Sequence, residues 1–125
     1  MISMKTWLIT GCSSGIGHAI ARKVLAQGDQ AIITARQKEK RADLAKQYPQ
    51  TCLPLSLEVT DPMRIDQALQ EVKERFGTID VLVNNAGRGY SGAVEEGDEA
   101  AVEALFQTNF FGPVCLIKKV LPDMR

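Results

Sequence analysis

The chain has 125 residues, a length that predicts one domain rather than two. Hydrophobic residues make up 45% and charged residues 24%, which is typical of a globular protein and argues against intrinsic disorder. Fifteen Lys plus Arg balance fifteen Asp plus Glu, so no net charge favours nucleic acid or an anionic membrane, and no apolar run approaches the ~20 residues of a spanning helix.

Strand and helix patterns alternate through the first 50 residues. Residues 7–10 form a short apolar run before a glycine cluster, which predicts a buried strand. Apolar residues at helical spacing then predict a helix over residues 16–27, ended by Gly28. Residues 31–33 predict a second strand, and residues 37–48 predict a charged second helix, ended by a proline.

The third strand is predicted over residues 53–59 and contains Pro54. Because proline cannot donate a backbone hydrogen bond to a sheet, this strand is expected at an edge. Asp61 is a predicted N-cap, followed by a helix that begins at Pro62 and stops at Gly77.

The remaining segments repeat the alternation. Residues 79–83 are almost all apolar and β-branched, which predicts a strand covered on both faces. A glycine-rich loop follows over residues 87–97. Helices are predicted over residues 99–111 and 114–124, with an irregularity at Gly112-Pro113. Four strand–helix alternations with short connections predict an α/β fold with a parallel sheet and right-handed crossovers.

The strongest motif is Thr10-Gly11-Cys12-Ser13-Ser14-Gly15-Ile16-Gly17, between the first strand and the first helix. Glycines allow the backbone to approach a dinucleotide pyrophosphate, and a helix N-terminus presents free N–H groups to its phosphates. The alternative is a tight turn that packs the helix on the strand without a ligand. The position of the motif between strand and helix favours nucleotide binding.

The spacing G-x-x-x-G-x-G resembles that of the short-chain dehydrogenase/reductase superfamily, and two later segments support the resemblance. Asn84-Asn85-Ala86-Gly87 matches the family's N-N-A-G sequence after the fourth strand, and Asn109 matches its active-site asparagine. Glu58 stands where the family usually has an aspartate beside the adenine ring.

This resemblance implies a Rossmann-like, doubly wound parallel sheet of four strands in the order 3-2-1-4, forming one dinucleotide-binding domain over residues 1–125. It also implies a role for three groups of residues. The pyrophosphate would be held by Gly11, Ser13, Ser14, Gly15, Ile16 and Gly17; the inner ribose by Asn84, Ala86 and Gly87; and the adenine side by Glu58.

The cofactor preference is expected at the end of the second strand. NAD-selective sites place a carboxylate there for the ribose 2′-hydroxyl, whereas this chain has Arg36, which can pair with a 2′-phosphate. NADP(H) is therefore predicted ahead of NAD(H). FAD remains an alternative, for a site that reads mainly adenosine and pyrophosphate. Arg36 can also be a solvated residue that touches no ligand.

The family's catalytic serine and Tyr-x-x-x-Lys pair have no counterpart in these 125 residues. Neither tyrosine has a lysine four residues later, since those positions hold Cys52 after Tyr48 and Val94 after Tyr90. Only Asn109 of the catalytic set is present. The expected function is therefore an oxidoreductase-family dinucleotide-binding protein, truncated after the cofactor-binding half, with weak or partner-dependent redox activity. The alternatives are a non-catalytic nucleotide sensor or scaffold, and a folded fragment without either role.

A four-stranded sheet of this order leaves the apolar strand 79–83 at an unprotected edge. A homodimer is therefore expected, through that edge or through the helices of residues 99–124.

Three cysteines without a CxxC pair predict reduced thiols in the cytoplasm, and no spacing predicts a metal site. Cys12 is interpreted as a small loop filler rather than a reactive thiol, and His18 as an exposed helix residue. Residues Arg88, Tyr90 and Ser91 either line a ligand mouth or serve only solubility.

Overall fold

The computed structural model describes residues 4–12, 15–35, 42–87 and 92–125. Within these ranges the strands are β1 (Thr6–Ile9), β2 (Gln30–Ala35), β3 (Cys52–Ser56) and β4 (Val81–Val83). The helices are α1 (Gly15–Ala26), α2 (Ala42–Gln47), α3 (Pro62–Phe76), α4 (Glu99–Phe106) and α5 (Gly112–Met124). A short 3₁₀ turn covers Val94–Glu96, and a π-helical turn, Gln107–Phe111, joins α4 to α5.

The four strands form one parallel sheet in the order β3-β2-β1-β4, as predicted. In its register, Leu8 of β1 lies between Ile32 of β2 and Leu82 of β4. The element boundaries differ from the prediction by a few residues. The largest difference is in the second helix, which begins at Ala42 within the described ranges, whereas predicted positions 37–41 lie outside them.

The core has two layers because successive strand residues point to opposite faces of the sheet. Leu8 and Ile32 pack with buried side chains of α3 and α5, such as Ile65 and Leu116. On the opposite face, Ile9, Ile33 and Cys52 pack with α1 and α2 through Ala21, Val24, Leu25 and Leu44. Helices thus cover both faces, as a doubly wound sheet requires.

Pro54 lies in the edge strand β3, as predicted. The Ala31 N–H donates to Thr51 O and the Leu57 N–H donates to Ala35 O, so the odd-numbered residues of this strand direct their backbone N–H and C=O groups toward β2. The backbone nitrogen of Pro54 therefore points away from β2, and its missing N–H removes no hydrogen bond between the two strands.

Helix α3 has the predicted bounds because local contacts define both of its ends. The Asp61 carboxylate accepts hydrogen bonds from the N–H groups of Met63 (3.1 Å) and Arg64 (3.4 Å), and Pro62 occupies the first turn. At the other end, the Gly77 N–H donates to Lys73 O.

Strand β4 is shorter than the predicted 79–83, and each of its three residues is half-buried rather than fully covered. Leu82 packs against one core layer and Val83 against the other, so both faces are in contact with core. The residual exposure reflects its edge position, since β1 is the only strand that pairs with it among the described residues.

The predicted irregularity between the last two helices lies earlier than Gly112-Pro113. It is the π-helical turn, closed by a hydrogen bond from the Gly112 N–H to Gln107 O. Pro113 comes just after the π-helical turn, in the first turn of α5, and has no N–H to donate to the preceding turn. The continuous helical run Glu99–Met124 is long and apolar enough to cross a membrane by length and composition alone. A single such helix does not distinguish a membrane span from other apolar helices.

Candidate functional site

The site lies at the carboxyl edge of the sheet, where the strand order reverses between β1 and β4. Connections from neighbouring strands diverge to opposite faces at such a point and leave a crevice, which is the usual ligand site of open α/β sheets. Here the glycine loop leaves β1 and the segment 84–87 leaves β4. The sequence motifs therefore meet at this crevice.

A side chain of the second segment holds the glycine loop. The Asn85 amide nitrogen Nδ2 donates to Gly11 O at 3.0 Å. Gly11 has φ 68°, and a Cβ on it would lie 2.8 Å from Ala86 Cα. A Cβ on Gly17 would lie 2.5 Å from both Asn85 Nδ2 and Gly11 O. The backbones of Gly11, Gly17 and Ala86 pack so closely that no side chain fits at Gly11 or at Gly17, and both positions require glycine.

Thr10 also connects the glycine loop to segment 84–87. Its Oγ1 accepts hydrogen bonds from the N–H groups of Asn85 and Ala86, each at 2.9 Å, and lies 3.4 Å from Val83 O, to which it donates. Thr10 is 1% exposed, so these backbone donors have a buried partner. This hydroxyl fixes the direction in which the chain leaves β4.

The glycine loop is open at Gly15. This residue has φ 65°, and a Cβ on it would meet no atom of the described residues within 4 Å. Ile16 is 71% exposed at the first turn of α1. The first N–H groups of this helix lack intrahelical acceptors and carry a partial positive charge. The described part of the loop is therefore tight at Gly11 and Gly17 and accessible at Gly15, as a phosphate cradle requires.

Asn109 lies on the opposite side of the crevice, within the π-helical turn. A Cβ on Gly87 would lie 3.2 Å from Asn109 Oδ1, so the asparagine side chain contacts the end of segment 84–87. π-helical turns are rare and are frequent at functional sites. Of the predicted site residues, Gly11 lies against both Gly17 and Ala86, and Gly87 lies against Asn109, whereas Gly15, Ile16 and Asn84 are placed beside them only as chain neighbours.

Glu58 is half-buried and follows β3 at the same edge of the sheet. Its Oε1 accepts hydrogen bonds from the Thr60 N–H (3.4 Å) and from the Thr60 hydroxyl (3.0 Å). The carboxylate thus binds a residue of the same loop, between β3 and α3. A shallow cavity of about 400 Å³ lies there, lined by Ser56, Glu58, Thr60, Asp61 and Arg64.

The other predicted positions divide into two groups. Ser13, Ser14, Arg36, Arg88, Tyr90 and Ser91 lie outside the described residues. Cys12 is fully buried and its thiol donates to Ile9 O at 3.2 Å, which agrees with a structural loop filler. His18 is half-buried rather than exposed, which corrects the expectation. Among the described residues, no group of three His, Cys, Asp or Glu could hold a metal ion.

Two residues that organise the site were absent from the predicted ligand contacts. They are Thr10 and Asn85, whose atoms bind the loop rather than a ligand. The available signal was their position, because Thr10 directly follows β1, Asn85 stands two residues after β4, and the carboxyl ends of these paired parallel strands are neighbours.

Comparison with known proteins bears on the family and the fold of the chain. The family model described as short chain dehydrogenase matches residues 5–125. An oxidoreductase of Botryotinia fuckeliana is 41% identical over 122 residues, covering 97% of this chain and 44% of that protein. The chain thus spans about half the length of the curated relatives it matches.

Solved structures give the same result. A short-chain dehydrogenase from Streptomyces avermitilis has 48% identity and a TM-score of 0.95, covering 100% of this chain and 46% of the other. An alcohol dehydrogenase from Thermococcus sibiricus complexed with 5-hydroxy-NADP has 32% identity and a TM-score of 0.92 over 98% of this chain and 54% of its own. A 3-ketoacyl-(acyl-carrier-protein) reductase from Brucella melitensis complexed with NADH has 27% identity and a TM-score of 0.89 over 95% of this chain and 50% of its own.

Proposed function

Because the chain belongs to the short-chain dehydrogenase family, we propose that residues 1–125 form a single domain that binds a nicotinamide dinucleotide. The observation that carries the proposal is the glycine loop, tight against Asn85 and Ala86 on its inner side and open at Gly15. A nicotinamide cofactor supplies hydride chemistry, and the chain's own residues bind and orient it.

Three groups of residues are proposed to hold the dinucleotide. The glycine loop with Ser13, Ser14 and the first turn of α1 faces the pyrophosphate. Segment 84–87 lines the inner ribose, and Glu58 lies on the adenine side. The open face at Gly15 and the partial positive charge of the helix N-terminus suit an anionic pyrophosphate.

NADP(H) is proposed ahead of NAD(H) because the second strand is followed by Arg36 and not by a carboxylate. One related structure carries an NADP derivative and another carries NADH, so family membership alone leaves both cofactors open. An arginine fork pairs with a phosphate through two hydrogen bonds, and an NAD-selective carboxylate would repel it.

The test is a fluorescence titration of the purified chain with NADPH, NADH and FAD, using Arg36→Glu and the exposed Arg22→Glu as a variant with the same charge change. We expect NADPH to bind at least about tenfold more tightly than NADH, and Arg36→Glu to abolish that preference while Arg22→Glu retains it. Absence of binding by all three below about 1 mM would refute the proposed function. If both variants lose the preference for NADPH equally, the role of Arg36 is refuted, while the proposed dinucleotide binding stands. Tighter binding of FAD would favour the relaxed adenosine-pyrophosphate site.

Redox turnover by residues 1–125 alone is proposed to be weak or dependent on a partner, because these residues contain Asn109 but no Tyr-x-x-x-Lys pair. The same observation favours a second candidate, a nucleotide sensor or scaffold without catalysis. An assay of NADPH-dependent quinone or dye reduction distinguishes the two. Turnover above the free-cofactor rate supports the oxidoreductase, and binding without turnover supports the sensor.

A homodimer is proposed through the β4 edge or through the helical run Glu99–Met124. In that run Phe106, Phe110 and Phe111 are each more than half exposed, and water contact with such large apolar surfaces is unfavourable. Light scattering coupled to gel filtration tests this, and a stable monomer at micromolar concentration would contradict it.

A cytoplasmic location is proposed from the three free thiols of Cys12, Cys52 and Cys115.

A further inference from the structure

The junction between the π-helical turn and α5 rests directly on the connection that follows β3. A Cβ on Gly112 would lie 2.8 Å from Val59 Cγ2, 2.8 Å from Val59 O and 2.9 Å from Gln107 O. Carbon atoms in contact are normally about 3.5–4.0 Å apart, so no side chain larger than hydrogen fits there. Val59 is itself buried, 6% exposed, and packs in the same core layer as Leu116 of α5.

The other side of the same turn touches the crevice. Asn109 stands three residues before Gly112, and its Oδ1 lies against Gly87. The turn is closed by the hydrogen bond from the Gly112 N–H to Gln107 O, so both contacts act on one hydrogen-bonded unit. A displacement of Gly112 would therefore also move the backbone that carries Asn109, three residues away.

We infer that Gly112 is a positioning residue for Asn109. Its missing side chain lets the π-helical turn rest on Val59, and this seating places the Asn109 amide against Gly87. Val59 directly follows Glu58, so the turn rests on the same connection that carries the predicted adenine-side residue. The inference rests on the proposed function for the importance of Asn109, whereas the contact itself exists without a cofactor.

The test is a ¹H–¹⁵N NMR comparison of the cofactor-free 125-residue chain with Gly112→Ala and Gly77→Ala. Gly77, the C-cap of α3, has φ 81°, and within the described ranges a Cβ on it would meet no atom closer than 4 Å, so its alanine variant is strained but has no contact with Asn109. Asn109→Ala identifies the Asn109 side-chain amide signals and the response of the Gly87 amide. We expect Gly112→Ala to shift both sets of signals by more than their line widths, and Gly77→Ala to leave them in place.

Two further variants keep the inference testable if Gly112→Ala does not fold. Val59→Ala removes Cγ2, on which the turn rests, and should shift the same Asn109 and Gly87 signals. In the double variant Val59→Ala with Gly112→Ala, the new methyl group no longer meets Cγ2 but still meets Val59 O. The signals should therefore return only part of the way toward their positions in the unsubstituted chain. Unchanged signals in a folded Gly112→Ala or Val59→Ala protein would overturn the inference, and so would equal shifts in Gly77→Ala.

An NADPH titration of the unsubstituted chain is read separately. If that chain does not bind NADPH while the Gly112→Ala shifts occur, the proposed function fails and the positioning role stands. If NADPH binds and the signals do not shift, the positioning role fails and the proposed function stands.

Discussion

The hydroxyl group of Thr10 provides the sharpest test of how the site is held together. Thr10→Val replaces it by a methyl group of similar size, and the N–H groups of Asn85 and Ala86 lose their common acceptor. Thr10→Ser keeps the hydroxyl and loses only a methyl group, so it serves as the matched control.

The magnitude follows from the number and burial of the affected groups. A buried donor left without a partner costs about 1–3 kcal/mol. Asn85 and Ala86 are half-buried, so water can reach part of this region and the lower half of that range applies to each. We expect Thr10→Val to lower the free energy of unfolding by about 2–4 kcal/mol, which is large beside a typical total of about 5–15 kcal/mol. Thr10→Ser should cost about 1 kcal/mol for its lost methyl group.

The assay is urea unfolding of the three proteins, followed by amide hydrogen exchange under native conditions. In Thr10→Val the amide protons of Asn85 and Ala86 should exchange faster than in Thr10→Ser, while those of α3 should change only in proportion to global stability. Equal stability of the two variants within about 0.5 kcal/mol, with unchanged exchange at Asn85 and Ala86, would refute the clamp role of the hydroxyl.

Three further outcomes follow from the same structure. Gly17→Ala places a methyl group 2.5 Å from Gly11 O and should weaken NADPH binding at least about tenfold in a titration, whereas undiminished affinity would contradict the tight loop. The Lys5 N–H, with the Gln27 and Trp7 side chains, holds the pKa of the Asp29 carboxyl below its ordinary value. Its stabilising effect is therefore present above the unfolded pKa of about 3.9 and is lost as pH falls through the lower folded value, so the urea midpoint should fall less in Asp29→Asn than in the parent between about pH 6 and pH 3. Burial raises the pKa of the Cys52 thiol to about 11. A disulfide reagent at about pH 8 should therefore modify Cys52 only in urea, and rapid labelling of the native chain at Cys52 would contradict this burial.

Much of the fold was predictable because short-range chemistry encodes it. Asp61, Pro62 and Gly77 predicted both ends of α3, since an N-cap, a first-turn proline and a C-terminal glycine each act within one helical turn. Pro54 predicted the edge position of β3 from a single missing donor. The β4 boundary was less accurate, because its residues have the apolar pattern of a fully covered strand but only one strand neighbour.

The candidate site was predicted as a set of segments rather than as a geometry. Glycine spacing identified Gly11, Gly15 and Gly17, since an unhindered backbone is a property of the residue itself. Spacing could not reveal that Asn85 Nδ2 binds Gly11 O across 74 positions, or that Glu58 turns its carboxylate toward Thr60. The direction of a side chain depends on which distant backbone atoms surround it.

The sequence by itself determined the alternation of strands and helices, the parallel sheet, and the glycine loop at the end of β1. These features depend on residue types within a few positions of one another, through periodicity, capping and backbone freedom. Only the tertiary structure decided that Thr10 and Asn85 clamp the crevice and that Gly112 rests on Val59. Such contacts join atoms that are distant in the chain, and their hydrogen bonds and steric limits exist only once the sheet and helices have packed.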